Sequence, residues 1–278
     1  MVNSLKIGVT IEPYAGISAD KLVTFAKAIA LDHVEININS MKDVEGIIAN
    51  LGKLTTTFHL PIPSVDGFEP GSTKAALRTR MTKVVDFINT YHKDLQLLFT
   101  LAHPPEGPDA DFQVLIETLQ QIQTPIILEN IPWQDDETFT AFYFKAKDLL
   151  GKQLAGHAID GPHRFLTDND NWLSVPTELA KEIVYVHLQD TKKDNDTHLL
   201  LGQGEMPYWD FLRFLKRLGY KGVINQEIKP EGLDLVAIMN SCLEVAKYTN
   251  KGRFLAMKTR YAFVKPILRR KIAHTTQK

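Results

Sequence analysis

The apolar residues of this chain gather in eight short, β-rich runs. They are LKIGVTIEP (5–13), HVEININ (33–39), LTTTFHLP (54–61), LQLLFTLAHP (95–104), PIILENIP (125–132), LAGHAID (154–160), IVYVHLQD (183–190) and GVINQEI (222–228). Seven of them precede a stretch with helical periodicity or a helix-start signal. Asp20 stands before KLVTFAKAIA, Ser72 before a long segment reaching Tyr91, and Asp109 before FQVLIETLQQI. Asp135-Asp136-Glu137 opens TFTAFYFKAKDLL, Pro207 opens YWDFLRFLKRLG, and EGLDLVAIMNSCLEVAKYT follows the eighth run. The segment after the sixth run reads mostly as loop, with a short helix near 176–182. Strands alternating with helices at intervals of roughly thirty residues predict an α/β (β/α)8 TIM barrel, a single domain over residues 1–250. An open doubly wound sheet is the rival arrangement, but no G-x-G-x-x-G follows the first run.

Composition narrows the setting. The 278 residues are 44% hydrophobic and 23% charged, as in an ordinary globular protein. No run reaches the roughly 18 to 20 apolar residues that a membrane span needs, and MVNSLKIGVTIEP lacks signal-peptide architecture. Cys242 is the only cysteine, which excludes an intramolecular disulfide and a cysteine-based zinc site and fits a reducing cytoplasm. The net charge of −1 hides an asymmetry: residues 251–278 carry nine Lys or Arg and no Asp or Glu. The remaining 23 basic and 33 acidic residues leave the body near −10, a poor surface for DNA. The basic tail, interrupted by Pro266, is read as a closing segment beneath the barrel with solvated charges. The competing reading is an amphipathic binder of nucleic acid or an acidic membrane, and its partner stays unassigned.

In such a barrel the C-terminal ends of the strands form the active face. Here those ends carry His59, His103, Glu129, Asp160 with His163 just beyond, His187 and Glu227. The loop after His187 adds Asp196 and His198 before the Gly202-Gln203-Gly204 turn. Taken alone, a His or Glu at a strand end is more often a hydrogen-bonded group of the fold than a ligand. Together, carboxylates converging on one mouth repel unless protonated or bridged by cations. Imidazoles interleaved with carboxylates suit zinc or manganese, so the pattern predicts a metal site. Glu35 points to the same mouth, to orient a ligand or contact substrate, against the plainer reading of a buried ion-pair partner. His157 is expected inside the barrel. Trp133, Trp172 and Trp209 are candidates to wall a pocket, with helix packing the rival for Trp209.

These residues resemble the xylose isomerase-like TIM barrels, a superfamily of sugar isomerases, sugar epimerases and endonuclease IV. The resemblance covers residues 54–230 most closely. It implies that Glu129, Asp160, His187 and Glu227 are the ligands common to the isomerase and epimerase branch. The endonuclease IV branch binds three zinc ions through nine side chains, and HLP, HPPEG, ENIP, DGPH, HLQD, DTH and QEI resemble its motifs. By that resemblance His59 and His103 share Glu129 with a second lobe of Asp160, His187 and Glu227, and His163, Asp196 and His198 form a third. The departures are Ile62, where that branch has an aromatic residue working on DNA, and Ile131-Pro132-Trp133 in place of a small-residue turn.

The resemblance therefore implies a phosphoester (phosphodiester) hydrolase, with Glu129 and Glu227 catalytic. It holds up to three divalent ions, zinc first, with manganese or magnesium as substitutes. A small-molecule ester is favoured over abasic-site DNA as substrate. The alternative is a sugar or sugar-phosphate isomerase or epimerase with one ion, Glu129 and Glu227 serving as acid and base. A non-catalytic ligand-binding barrel is a third reading.

Overall fold

All eight apolar runs become barrel strands. The structure, a computed structural model, describes residues 5–14, 16–229 and 234–275. The first four residues, the Glu-Gly-Leu read as the start of the last barrel helix, and the end of the basic tail (276–278) lie outside the described residues. The strands are β1 (Lys6–Thr10), β2 (His33–Ile36), β3 (Thr55–His59), β4 (Leu97–Ala102), β5 (Ile126–Glu129), β6 (Leu154–Asp160) and β7 (Ile183–His187). A hairpin follows, β8 (Asp190–Lys192) and β9 (Asn195–Leu199), before β10 (Val223–Gln226). The eight long strands close in the order β1-β10-β7-β6-β5-β4-β3-β2, every pairing parallel.

Helices cross over between the strands: α1 (Ala19–Ala28), α2 (Val44–Leu51), α3 (Pro63–Asp66), α4 (Ala75–Tyr91), α5 (Phe112–Leu119) and α6 (Asp136–Leu150). They continue with α7 (Gly161–Thr167), α8 (Thr177–Ala180), α9 (Tyr208–Arg217), α10 (Leu235–Thr249) and α11 (Lys251–Thr275). Helix starts shift by a few residues from the sequence expectation: Ser18, Lys74 and Asp111 take the N-cap positions of α1, α4 and α5. Asp111 and Asp135 use their carboxylates to cap α5 and α6, accepting the amides of Val114 at 3.0 Å and Thr138 at 2.7 Å.

Register decides which side chains meet. Paired positions such as Thr10 and Glu35, Glu35 and Thr57, or Asp160 and His187 share the inner face, so a one-residue slip would turn every one outward. A small apolar cluster of Leu101, Ile127, Ala158, Tyr185 and Val223 fills the barrel interior, apart from the larger core between strands and helices. At the opposite end from the strand C-termini, α11 docks through Arg253 on Asp32 at 2.5 Å and Arg260 on the Ala28 carbonyl at 2.7 Å. Met257 and Tyr261 are buried there. No described helix is long and apolar enough to cross a membrane.

Four expectations are corrected. The segment after β6 opens with α7, whose residues Gly161–Leu166 are all buried; a short helix enclosed on every side leaves no amphipathic stripe to read. The loop after His187 contains the β8–β9 hairpin. α11 runs through Pro266, where both Pro266 and Ala262, one turn before it, are exposed. His157 lies outside the barrel wall, its ring 5.0 Å from Phe139 and 6.1 Å from Tyr143 of α6, on the face opposite Asp160.

Candidate metal centre

Glu129, at the end of β5, sits completely buried between two sets of donors. Its Oε2 lies 3.2 Å from His103 Nε2 and 3.6 Å from His59 Nε2. Its Oε1 lies 2.9 Å from His187 Nδ1. A carboxylate that turns one oxygen to each side is a bridging geometry. The donor atoms of His59, His103 and Glu129, and those of Glu129, Asp160 and His187, each fall within 4.8 Å of one another. His187 Nδ1 also lies 3.8 Å from Asp160 Oδ2 and 3.7 Å from Glu227 Oε2, so Glu227 joins the second group from just past β10.

The third group comes from α7 and the hairpin. Asp196 Oδ2 lies 3.3 Å from His163 Nε2 and 3.1 Å from His198 Nε2, while its other oxygen is buried without a hydrogen-bond partner. His163 arrives there because Asp160 caps α7, accepting the His163 amide at 2.6 Å through Oδ1 and leaving Oδ2 for the centre. His198 adopts a left-handed backbone (φ 48°), an uncommon conformation for a side chain-bearing residue. The structure thus brings all nine sequence-selected residues into one connected cluster.

The imidazoles share one arrangement. Each fixes one ring nitrogen on an oxygen that is not one of the candidate donor atoms and turns the other toward a shared carboxylate. The outer acceptors are the Leu60 carbonyl for His59 (2.8 Å), Glu106 for His103 (2.7 Å) and the Asn130 carbonyl for His163 (2.8 Å). Glu35 serves His187 (2.8 Å) and the Glu227 carbonyl serves His198 (2.9 Å). Metal-ligating histidines are oriented in this way, the anchored N–H fixing the tautomer that leaves the other nitrogen's lone pair free. With no sulfur and a mixed nitrogen–oxygen set, these donors fit divalent cations such as zinc or manganese.

Electrostatics agree. Burial opposes charge on His103, but Glu129 and Glu106 outweigh it and hold the ring up at about 9. Burial also opposes charge on His187 and His163, yet Glu129 with Glu35, and Asp160 with Asp196, hold them well above the usual range. Glu129 is pulled well below its ordinary value against its own burial, by His187 and His103. Burial lifts Asp160 to about 6. The raised proton affinity of His103, His163 and His187 marks a demand for positive charge among the buried carboxylates, which a divalent cation would meet between the same donors.

Several residues that hold this centre were not selected from the sequence. Asp190, inside the HLQD quoted for His187, is buried and accepts the amides of Thr191 (2.9 Å), Gly202 (2.8 Å) and Met206 (3.1 Å), pinning both ends of the hairpin loop. Glu69 is buried and accepts the amides of Glu106 (2.9 Å) and Gly107 (2.6 Å), placing Glu106 behind His103. Gln189 donates to Asp160 Oδ2 at 3.0 Å. The signal for Asp190 was its place between a strand-end histidine and the Gly202-x-Gly204 turn; Glu69 left none. Of the tryptophans, Trp172 is buried against Phe165 and Phe211, and Trp209 lies on α9 beside Tyr208. Trp133 is 64% exposed just past Glu129, in a left-handed backbone (φ 61°).

The family pattern described as "Xylose isomerase-like TIM barrel" matches residues 18–245. An uncharacterized protein from Methanocaldococcus jannaschii is 24% identical over 222 residues, covering 72% of this chain and 81% of that protein. Among solved structures, a D-tagatose 3-epimerase-like protein superposes with a TM-score of 0.66 at 20% identity, over 87% of this chain and 98% of that one. D-allulose 3-epimerase from Methylomonas sp., in complex with D-allulose, gives 0.64 at 16% identity over 88% and 97%. An AP endonuclease, family 2, from Brucella melitensis gives 0.60 at 14% identity over 84% and 96%. At these identities the solved structures are alike in fold alone.

Proposed function

The chain belongs to the xylose isomerase-like TIM barrel family, and on that premise we propose that its barrel mouth is a multinuclear divalent-metal centre that hydrolyses a phosphoester, most suitably a small-molecule phosphodiester. The observation that carries this reading is the anchoring of five imidazoles around the bridging Glu129 and the hairpin Asp196. One ion would be held by His59, His103 and Glu129, a second by Glu129, Asp160, His187 and Glu227, and a third by His163, Asp196 and His198. Zinc suits these donors best, with manganese or magnesium as substitutes. Bound there, the ions supply Lewis acidity and a water acidified toward neutral pH.

The chain's own residues supply the rest. Glu129 holds two lobes at fixed separation, and the buried anchors keep each ring from turning. Glu227 and Asp196, with side chains 15% and 20% exposed, are the cluster carboxylates open to a substrate, and Glu227 Oε2 is placed to accept or return a proton. The acidic body favours a small ester over abasic-site DNA. The single buried cysteine fits a cytoplasmic setting.

A second reading is a sugar or sugar-phosphate isomerase or epimerase with one ion on Glu129, Asp160, His187 and Glu227. Two observations favour it. The D-allulose 3-epimerase and the epimerase-like protein named above share the fold over nearly their whole length, and Glu129 and Glu227 both stand at His187 Nδ1, at 2.9 and 3.7 Å, so an ion held there would have two carboxylates beside it to exchange protons with a bound sugar. Family context favours this reading, whereas the number of donors favours hydrolysis.

Elemental analysis of protein purified without chelator or His-tag tests the choice, with bis(4-nitrophenyl) phosphate and keto-hexoses as assay substrates. Hydrolysis predicts close to three ions per chain, with ions and diester turnover falling in His59→Ala and Asp196→Asn. One ion that survives both substitutions, with epimerisation intact, would hand the protein to the isomerases.

A further inference from the structure

One of the five imidazoles is turned the other way. His59, His103, His163 and His198 face the cluster through Nε2 and anchor Nδ1, on backbone carbonyls or, for His103, on the partly exposed Glu106. His187 faces Glu129 through Nδ1 and anchors Nε2 on Glu35, whose side chain is fully buried. Glu35 is itself held on both oxygens. The Tyr185 hydroxyl donates to Oε2 at 2.9 Å and the Thr10 hydroxyl to Oε1 at 2.9 Å. Behind them, His33 Nε2 meets the Tyr185 hydroxyl at 3.1 Å, and Asn225 donates to Thr10 at 2.8 Å. Four barrel strands thus fix a single carboxylate, placed against the far nitrogen of one ring. Burying a full negative charge there has a cost, and a neutral carbonyl would orient the ring equally well.

We propose that Glu35 is the positioning residue of the central lobe: it keeps the His187 proton on Nε2, leaves Nδ1 as the donor atom, and strengthens that donor with its charge. The inference rests on the metal-centre reading and deepens it. It makes the lobe of Glu129, Asp160, His187 and Glu227 the first to fill, and the lobe of Asp196 the last, since that one has a single, partly exposed carboxylate and both its rings are anchored on backbone carbonyls.

Metal-free wild type, Glu35→Gln, Tyr185→Phe and Asp196→Asn would be titrated with Zn2+ against a fluorescent chelator at fixed pH, with Co2+ absorption as a second readout. Glu35→Gln is expected to weaken the tightest step by about 10- to 100-fold and change its Co2+ spectrum. The weak step that Asp196→Asn abolishes should be unchanged, and the metal-free melting temperature should shift by only a few degrees. Tyr185→Phe, which keeps the charge but removes one of the two hydrogen bonds to Oε2, should weaken the same step by about 2- to 5-fold and carries the test if Glu35→Gln does not fold. A Glu35→Gln isotherm that superposes on wild type overturns the proposal, as does equal weakening of every step. A wild type that takes up no divalent ion would instead overturn the metal-centre reading beneath it.

Discussion

Replacing Asp190 with Ala tests whether one buried carboxylate holds the hairpin half of the site. Asp190 is 1% exposed and accepts three backbone amides, those of Thr191, Gly202 and Met206, at 2.9, 2.8 and 3.1 Å. The alanine variant strands all three donors. The buried amides of Thr191 and Met206 cost about 1 to 3 kcal/mol each without a partner, while the exposed Gly202 amide can turn to water, so the loss is about 2 to 6 kcal/mol. Unfolding entropy of about 2.1 cal/mol/K per residue gives about 0.6 kcal/mol/K for 278 residues, so the melting temperature should fall by about 3 to 10 °C. The hairpin presents Asp196 and His198, so the same variant should lose one ion per chain while the ions around Glu129 stay. Calorimetry of the metal-free protein and elemental analysis of the loaded one read the two effects separately. A melting temperature within 1 °C of wild type, with the full complement of ions, would refute this account of Asp190.

Further outcomes follow from the same interior. In chelator, stability should decline on the alkaline side. Glu129 and Glu106, against burial, raise His103 from 6.5 to about 9, so its contribution is complete below pH 6.5 and is lost as pH rises through 9, at about 1.4 kcal/mol per pH unit. Urea midpoints equal at pH 7 and 9.5, or unchanged by added zinc at the higher pH, would contradict this. On the acid side, burial lowers His33 and His157 from 6.5 to about 3, so the stability tied to their neutral forms is present above pH 6.5 and is lost as pH falls toward 3, each group adding up to about 1.4 kcal/mol per unit. A His33→Gln variant should show a shallower acid slope in the same urea series. Gly8→Ala should cost about 1 to 3 kcal/mol by denaturant titration, because a Cβ there lies 2.8 Å from Asn225 Oδ1 and 2.9 Å from His33 Cδ2 inside the barrel; unchanged stability would show that this interior can yield.

The barrel was legible because its signal is repeated: eight apolar runs, each ending in a polar group, hold the register by alternation alone. Seven cluster residues were legible for the related reason that strand C-termini share one face, and Asp196 and His198 by their Asp-x-His spacing in the loop after His187. What escaped was short or long-range. α7 is enclosed on all sides and has no polar face to mark its turn. Helix caps moved because Asp109 and Asp111 carry the same chemistry two residues apart, and geometry chose the one that reaches Val114. The role of Glu69 depends on the turn before Gly107, 38 residues away, a pairing no local pattern encodes. His157 was misplaced by one step of strand parity, which faces it toward α6 while Asp160 faces the centre.

The β8–β9 hairpin gives the site a modular construction. Seven of the cluster residues stand on barrel strands, one residue past them or in α7, while Asp196 and His198 stand on an excursion between β7 and α9. The strands must keep their pairing for the barrel to close, but a hairpin can be lengthened, exchanged or trimmed without disturbing any strand register. Evolution can therefore add or withdraw two of the three donors of the third set, Asp196 and His198, by editing one loop. A single scaffold can in this way move between chemistries that need one ion and chemistries that need several, with its frame and its Glu129 lobes left in place.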